Sequence, residues 1–384
     1  MDGCPRQNPA YRRTKGRASL AGPFLFGAVA LGLSQYVFCA SVTMSGTDEQ
    51  LVVRLMTHED AAGVAELAKA CYGMTYRHQE IYSPEQLIED QEAGIQLNEV
   101  AVTEDGEVVS HSAFVFHGPT VVESCEAMTA ELYRGHKLFE QLEIQLVERV
   151  QKLGVKWIMA EPVLLHTASQ EVVVRGGGAI TGVRLKCCAA ETVDPDGFID
   201  KIAPGGRRSL TIGFVPIAQL TESDVWLSSD YAELVAMALG QTVWPRTLRT
   251  EVPEGFVAAK RSTLSSSFDQ RQENMRIEVE VIGEDITDAV CAARDEAQAA
   301  GALSIDLRIP TGDPASASVA LLEEGFSYAA FLPELREGSD VLLLQWLADR
   351  QIDTDVWQLL NPQIETLAHA IVAQAKLAAA RGRS

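Results

Sequence analysis

Residues 123–142 read ESCEAMTAELYRGHKLFEQL, and the fold turns on how they divide. PTVVESCEAMTAEL, residues 119–132, reads as a strand. YRGHKLFEQLEIQLVERVQKLG, residues 133–154, reads as a long amphipathic helix that starts near His136 and ends at Gly154. A strand therefore passes through a short turn straight into a helix N-terminus. The first N–H groups of a helix have no partner inside it and carry the positive end of its dipole. Such a turn is a seat for a phosphate or pyrophosphate. Arg134 can add charge-assisted hydrogen bonds there. Taken alone, an arginine-glycine turn is weak evidence, because many exposed turns contain one.

Its setting gives it weight. Upstream, Val52–Met56 alternates as a strand and THEDAAGVAELAKACYG reads as a helix, with Thr57 as N-cap and Asp60 as the capping-box acid. A second helix opens at Ser83-Pro84, and NEVAVTEDGEVVSHSAFVFHG is a hairpin turning at Asp105-Gly106. Downstream, VKWIMAEPVLL is a buried strand, TASQEVVVRGGGA a helix and ITGVRLKCCAAE a closing strand. Strand, two helices, antiparallel meander, helix, strand, helix, strand: the order predicts an α/β fold with a mixed sheet.

The second half partly repeats the first. RRSLTIGFVPI, MRIEVEVIGED, LSIDLRIP and DVLLLQWL read as strands. SSDYAELVAMALGQ, ITDAVCAARDEAQAAGA and PASASVALLEEGF read as helices. The predicted divisions are a leader at 1–46, a first unit at 47–193, a Gly/Pro/Asp-rich linker at 194–208, a degenerate second unit at 209–350 and a helical tail at 351–384. Leu359, Ile364, Leu367, Ile371 and Ala375 can pack that tail on the body or on a partner.

The element order, with YRGHKLFEQL at its middle helix, resembles the GCN5-related N-acetyltransferase superfamily over about residues 50–191. A degenerate copy covers about 205–347, so the resemblance implies two tandem units. It implies acetyl-CoA as co-substrate, bound at a turn of the form Arg/Gln-x-x-Gly-x-Gly/Ala. In this sequence the turn spans Arg134, Gly135, His136, Lys137 and Leu138. Lys137 stands where glycine is expected and Phe139 where glycine or alanine is expected. The lysine either crowds the pyrophosphate or adds a cation to it, and Phe139 can face the core. The resemblance further implies that backbone N–H groups around Met128, Thr129 and Ala130 hold the thioester carbonyl. Glu123 or Glu126 then serves as base toward an amine, directly or through a water. Strict alternation would put these two glutamates on opposite faces of the strand. Tyr72, Tyr76, Glu80 and Tyr82 are of the right types for an acceptor pocket. The late helix lacks the tyrosine acid that the family often uses; His166 and Ser169 precede or open that helix and can substitute. In the second unit the matching turn carries Glu284-Asp285, which would repel a pyrophosphate. That half is expected to cover the first, shape the acceptor pocket or make a homodimer.

Charge excludes one class of partner. The chain has 32 basic and 53 acidic residues, a net charge of −21. Beyond residue 43 only 27 basic residues face 52 acidic ones. So acidic a body does not bind nucleic acid through phosphate contacts, and it tolerates cationic ligands such as amines. The seven cysteines form no CxxC pair and the seven histidines no metal-ligand spacing, which fits a reducing, cytoplasmic setting without a metal. Cys187-Cys188 are expected to pack as small hydrophobes. Residues 19–47 carry no charge and follow five basic residues, a pattern shared by a membrane anchor and by an extension upstream of a start at Met44.

Three functions stay open: an N-acyltransferase acting on a small-molecule or protein amine, a non-catalytic acyl-CoA-binding or scaffold protein of the same fold, and a membrane-anchored interaction protein.

Overall fold

The computed structural model describes residues 39–43, 50–189 and 206–381. The rest of the leader, Met44 and most of the linker lie outside these residues. In the first half, β1 (Cys39–Thr43) and β2 (Gln50–Leu55) precede α1 (Ala61–Tyr72) and α2 (Pro84–Glu92). Then come β3 (Gln96–Val102), β4 (Val108–Phe116), β5 (Val121–Thr129), α3 (Leu138–Lys152), β6 (Trp157–Ala160), α4 (Ala168–Arg175), β7 (Ala179–Ala189) and β8 (Arg207–Pro216). The second half holds β9 (Ser223–Trp226), α5 (Ser229–Leu239), β10 (Arg246–Arg249), β11 (Thr263–Asp269), β12 (Asn274–Val281) and α6 (Ile286–Ala299). It ends in β13 (Ser304–Pro310), β14 (Ser327–Arg336), β15 (Ser339–Leu347) and α7 (Pro362–Arg381).

Thirteen strands form one mixed sheet, ordered β1-β2-β3-β4-β5-β6-β8-β7-β14-β15-β13-β12-β11. In each half a strand feeds a helix into a parallel neighbour (β5 to β6, β12 to β13), and a later strand inserts beside that neighbour (β8, β15). The order outward from the junction is thus the same on both sides. The junction itself joins corresponding strands, β7 and β14, antiparallel at Gly182–Ala330. The strand at 207–216, read from sequence with the second half, lies between β6 and β7 of the first sheet.

Burial follows from this order. Val183 and Leu185 of β7 share one core with Tyr231, Ile277, Leu307, Phe326 and Leu344 of the second half. Ile364, Leu367, Ile371 and Ala375 are the buried face of α7, which packs on the body. Each such side chain contributes about 1.5–3 kcal/mol when taken fully out of water. On the other side, Leu138, Leu142, Leu146 and Val150 lay α3 across β2–β5. Buried beneath it, Arg149 grips Glu99 of β3 through two hydrogen bonds of 3.0 and 3.1 Å.

Local expectations fare unevenly. The hairpin forms with Gly106 at φ +85°. Asp60, not Thr57, precedes α1, although its carboxylate accepts from both the N–H (2.7 Å) and hydroxyl (2.6 Å) of Thr57. PASASVALLEEGF is not an α-helix; only Pro314–Ser318 forms a 3₁₀ turn. There the Ser316 and Ser318 hydroxyls donate to the Pro310 and Ala315 carbonyls, an alternative to helical bonding. No helix among the described residues is long and apolar enough to cross a membrane.

Candidate active site

β5 and β6 pair only at Val121–Trp157, Val122–Ile158 and Glu123–Met159. Past Glu123 the strands no longer pair: β6 ends at Ala160, while β5 runs on to Thr129 and the turn before α3. On its other edge β5 stays bonded to β4, with a register shift between His111 and Ala113. Within that irregularity Glu126 has φ +58°, a left-handed conformation that marks a bulge.

The bulge overturns the alternation expected for the two glutamates. Val122 packs with Leu146 and Val150, and the Ser124 hydroxyl donates to Glu143 of α3 at 3.1 Å. Glu123 therefore points away from α3. Alternation would return Glu126 to the α3 side, but the extra residue turns it back. Its carboxylate accepts from Gln96 at 2.7 Å, and Gln96 also donates to Asn98, which bonds Gln91 of α2. Both carboxylates lie on the α1–α2 face, and both are buried.

Glu123 heads a chain of charges. His117 Nε2 lies 2.7 Å from its carboxylate. Burial opposes ionisation of Glu123, but the hydrogen bond and charge of His117, joined by the charge of Arg77, hold it well below the usual carboxylate range. Arg77 donates to Glu161, just beyond the end of β6, and its guanidinium lies 4.0 Å from Cys188 Sγ. Arg184 of β7 donates to Glu161 at 2.6 Å and also to Asp306 of β13. Burial pushes Glu161 up, yet the two guanidiniums win and lower it to about 2. Cys187 and Cys188 pack as small hydrophobes with Leu210, as expected. Their sulfurs are 3.5 Å apart, and the hydrogen bond from Cys187 lowers Cys188 to about 6 against its burial, helped by Arg77 and Arg184.

The predicted acceptor tyrosines gather at the bulge. Tyr72 donates to the Ala127 carbonyl at 3.0 Å, and Tyr76 accepts from the Glu126 N–H at 3.1 Å. Their ring centres lie 4.6 Å apart with the planes tilted by 37°, and Tyr82 accepts from the Tyr76 N–H at 3.0 Å. Glu80 sits in the adjoining 3₁₀ turn, where its carbonyl accepts from Ser83. The second half reaches this segment: Arg271 donates to the carbonyls of Tyr76 (3.1 Å) and Thr75 (3.4 Å).

At the turn, Gly135 has φ +82° with open space where a Cβ would stand. Lys137 occupies the left-handed region at φ +60°, where a side chain is strained by about 1–2 kcal/mol. Its side chain is 74% exposed and approaches only Glu140, at 3.9 Å, so it does not fill the turn. The helix begins with Gln141 N–H bonding the Lys137 carbonyl, which leaves the preceding N–H groups of the start facing outward. Leu138 enters the core, while Phe139 is half-buried. Arg134 is exposed, and its Nε donates to the Thr129 carbonyl at 3.3 Å. His136, half-buried, follows Gly135. The Ala130 N–H donates to Val109, so by antiparallel alternation the Thr129 N–H points away from β4, toward the side on which β6 has ended. Met128 is a core residue whose carbonyl accepts from Ser110.

His166 and Ser169 stand apart from this cluster. They lie where Val163 bridges to Leu210 and the Leu164 carbonyl accepts from Gln358, on the side of the tail. In the second half, Glu284 pairs with Lys260 at 2.7 Å, and Asp285 bonds Arg261 and the Ser262 N–H. A Cβ on Gly283 would meet Arg261 backbone at 2.4 Å, so residues 259–262 cover that helix start.

Sequence reasoning missed His117, Arg77, Glu161 and Arg184. His117 had a readable signal, a histidine closing the hairpin six residues before Glu123. The two arginines and Glu161 had none, because only the crossing of the 73–82 segment over β6 and β7 brings them together. No metal-binding grouping of His, Cys, Asp and Glu occurs among the described residues.

No protein-family model matches the chain, and no curated protein does. Several solved structures are similar to it. One is the ribosomal-protein-S5-alanine acetyltransferase of Vibrio fischeri, 14% identical, covering 47% of this chain and 98% of its own, with a TM-score of 0.35. Another is a putative acetyltransferase of Salmonella typhimurium, solved with its cofactor acetyl-CoA. It is 14% identical over 45% of this chain and 98% of its own, with a TM-score of 0.34. The spermidine/spermine N-acetyltransferase of Vibrio cholerae is 10% identical over 44% and 92%, also with a TM-score of 0.34.

Proposed function

We propose that the protein is an N-acyltransferase that moves an acetyl group from acetyl-CoA to an amine by direct attack. One observation carries this reading: a buried carboxylate, Glu123, stands where β5 leaves β6, and β5 leads on from it to an open helix start. A carbonyl-reactive thioester and its pyrophosphate handle have those two needs, a polar reaction centre and an anion seat.

The fit at the mouth is electrostatic. Outward N–H groups at the start of α3, with Arg134 and Lys137 beside them, suit the pyrophosphate of CoA. The Thr129 N–H can donate to the thioester oxygen as negative charge grows on it. The amine nitrogen forms a bond to the carbonyl carbon, and the carbon–sulfur bond breaks. Glu123, ionised, orients the amine. The proton lost from the amine passes to solvent beside Glu123, whose charge His117 holds, and the CoA thiolate takes a proton from solvent. Glu126 is held by Gln96 and supports the bulge, so the role beside the amine falls to Glu123.

Calorimetric titration of the full chain with acetyl-CoA tests this. Micromolar binding is expected, weakened at least about tenfold by Arg134→Ala and by Lys137→Glu, each of which removes a cation from a phosphate site. Glu123→Gln is expected to bind acetyl-CoA as before and to lose about 100-fold or more in turnover once an acceptor is in hand. No binding at millimolar acetyl-CoA would leave the scaffold reading, which the strain at Lys137 favours.

A further inference from the structure

We propose that Arg77 occupies the seat of a cationic acceptor: a small molecule bearing a guanidinium or ammonium group besides its reactive amine displaces it. The inference rests on the transferase reading for the word acceptor, but the cation seat itself does not.

Three observations carry it. First, the seat is built from acids. Glu123 and Glu161 both lie on or beside the strands that part, and Asp306 stands behind Arg184. Beside these three carboxylates stand Arg184 and Arg77, with His117 on Glu123 and Arg276 also near Asp306. Without Arg77, Glu161 would be left with Arg184, which it shares with Asp306, in a buried site, so the group that replaces it must be positive.

Second, Arg77 is not part of the rigid frame. It comes from the segment between α1 and the 3₁₀ turn at Gln79–Tyr82, whereas Glu123, Glu161 and Arg184 are set on or next to sheet strands. Its side chain keeps 26% exposure, while Arg184 keeps 11%. The seat therefore opens to solvent at the Arg77 end. Third, Arg271 holds the two residues just before Arg77 through the carbonyls of Thr75 and Tyr76, from a turn of the second half. Tyr76, bonded to the Glu126 N–H, and the fully buried Ile81 anchor the segment, so a change of rotamer at Arg77 removes the guanidinium while the backbone stays.

The geometry also divides the acceptor. Its fixed cation would sit against Glu161, beyond the end of β6. Its reactive amine would lie at Glu123, where the strands begin to part. A guanidino-amine or a diamine has both groups. A simple anionic or neutral amine has nothing to offer the first position.

The experiment uses the full chain with Arg77→Ala and needs no acetyl-CoA. Its melting temperature is expected to fall, and 10 mM methylguanidine, about two orders below denaturing levels of guanidinium, is expected to restore at least about half of the loss. Wild type and the double variant Arg77→Ala/Glu161→Gln should show no such rescue. Calorimetry with agmatine should give binding to Arg77→Ala at least about tenfold tighter than to wild type, a difference of about 1.4 kcal/mol. Arg271→Ala keeps Arg77 but loosens its segment, and should tighten agmatine about threefold; it covers the case in which Arg77→Ala does not fold. Absence of rescue, or equal agmatine binding by wild type and both variants, would mean a structural ion pair only and overturns the proposal. Rescue together with failure to bind acetyl-CoA would keep the cation seat and remove the transferase reading.

Discussion

Gly182→Val is expected to lower the melting temperature by about 5 °C, the shift of a loss of about 4 kcal/mol in a protein of this size. Gly182 lies where β7 meets β14, and a Cβ there would stand 1.9 Å from the Ala329 carbonyl oxygen and 2.5 Å from the Ala330 Cα. Both obstacles are backbone, so no side chain can rotate out of the way. The junction has little else to spare: a single residue pair, Gly182–Ala330, registers the two strands. It is reinforced by Tyr328 donating to the Thr181 carbonyl at 2.5 Å and by the Gln345 amide, which bridges Leu185, Val183 and Tyr328. Moving the strands apart to admit a valine would lengthen all of these together and open the shared core beneath them. Gly312→Ala is the matching control, since its Cβ would meet only the Ser339 side chain at 3.5 Å, an ordinary contact. Thermal unfolding of the two variants checks the prediction, and an unchanged midpoint for Gly182→Val would sink the edge-to-edge junction.

Arg184→Leu should cost about 3–5 kcal/mol at neutral pH, because it takes a guanidinium from two buried acids at once, Asp306 and Glu161, and leaves Glu161 with Arg77 alone. The loss should depend on pH in a fixed direction. In the native protein Glu161 is held down at about 2 from 4.5, so its pairing contributes stability that is complete above about pH 4.5. That contribution fades as pH falls from there toward 2. The variant has lost most of it already. The gap in melting temperature between wild type and Arg184→Leu is therefore expected to be widest near pH 7 and to narrow below about pH 4. A gap that stayed constant over that range would mean that lost packing, not charge, was responsible. The pH series also separates this arginine from Arg149, whose partner Glu99 belongs to the α3 side of the sheet.

The strand–turn–helix at 123–142 was legible because it is local. Periodicity of two and of 3.6 announces a strand and a helix from their own residues, and the Asp105-Gly106 hairpin and the buried stripe of α7 were readable for the same reason. β14 was not, since SYAAFLPELR is buried on both faces and shows no alternation. The helix expected at PASASVALLEEGF failed because serine hydroxyls took the backbone carbonyls instead.

The site divides along the same line. Sequence by itself determined the α/β class, the position of the strand–turn–helix and the acidity of the whole. Only the tertiary structure decided that Glu123 and Glu126 share a face, because a bulge inserts one residue where strict alternation was assumed. Only it decided that Lys137 points to solvent, that residues 207–216 complete the first sheet, and that Arg77, Glu161, Arg184 and Asp306 form one chain of charges. These last residues are 229 positions apart from end to end. Coulombic attraction and the desolvation of buried charge act through space, so no local pattern along the chain can record them.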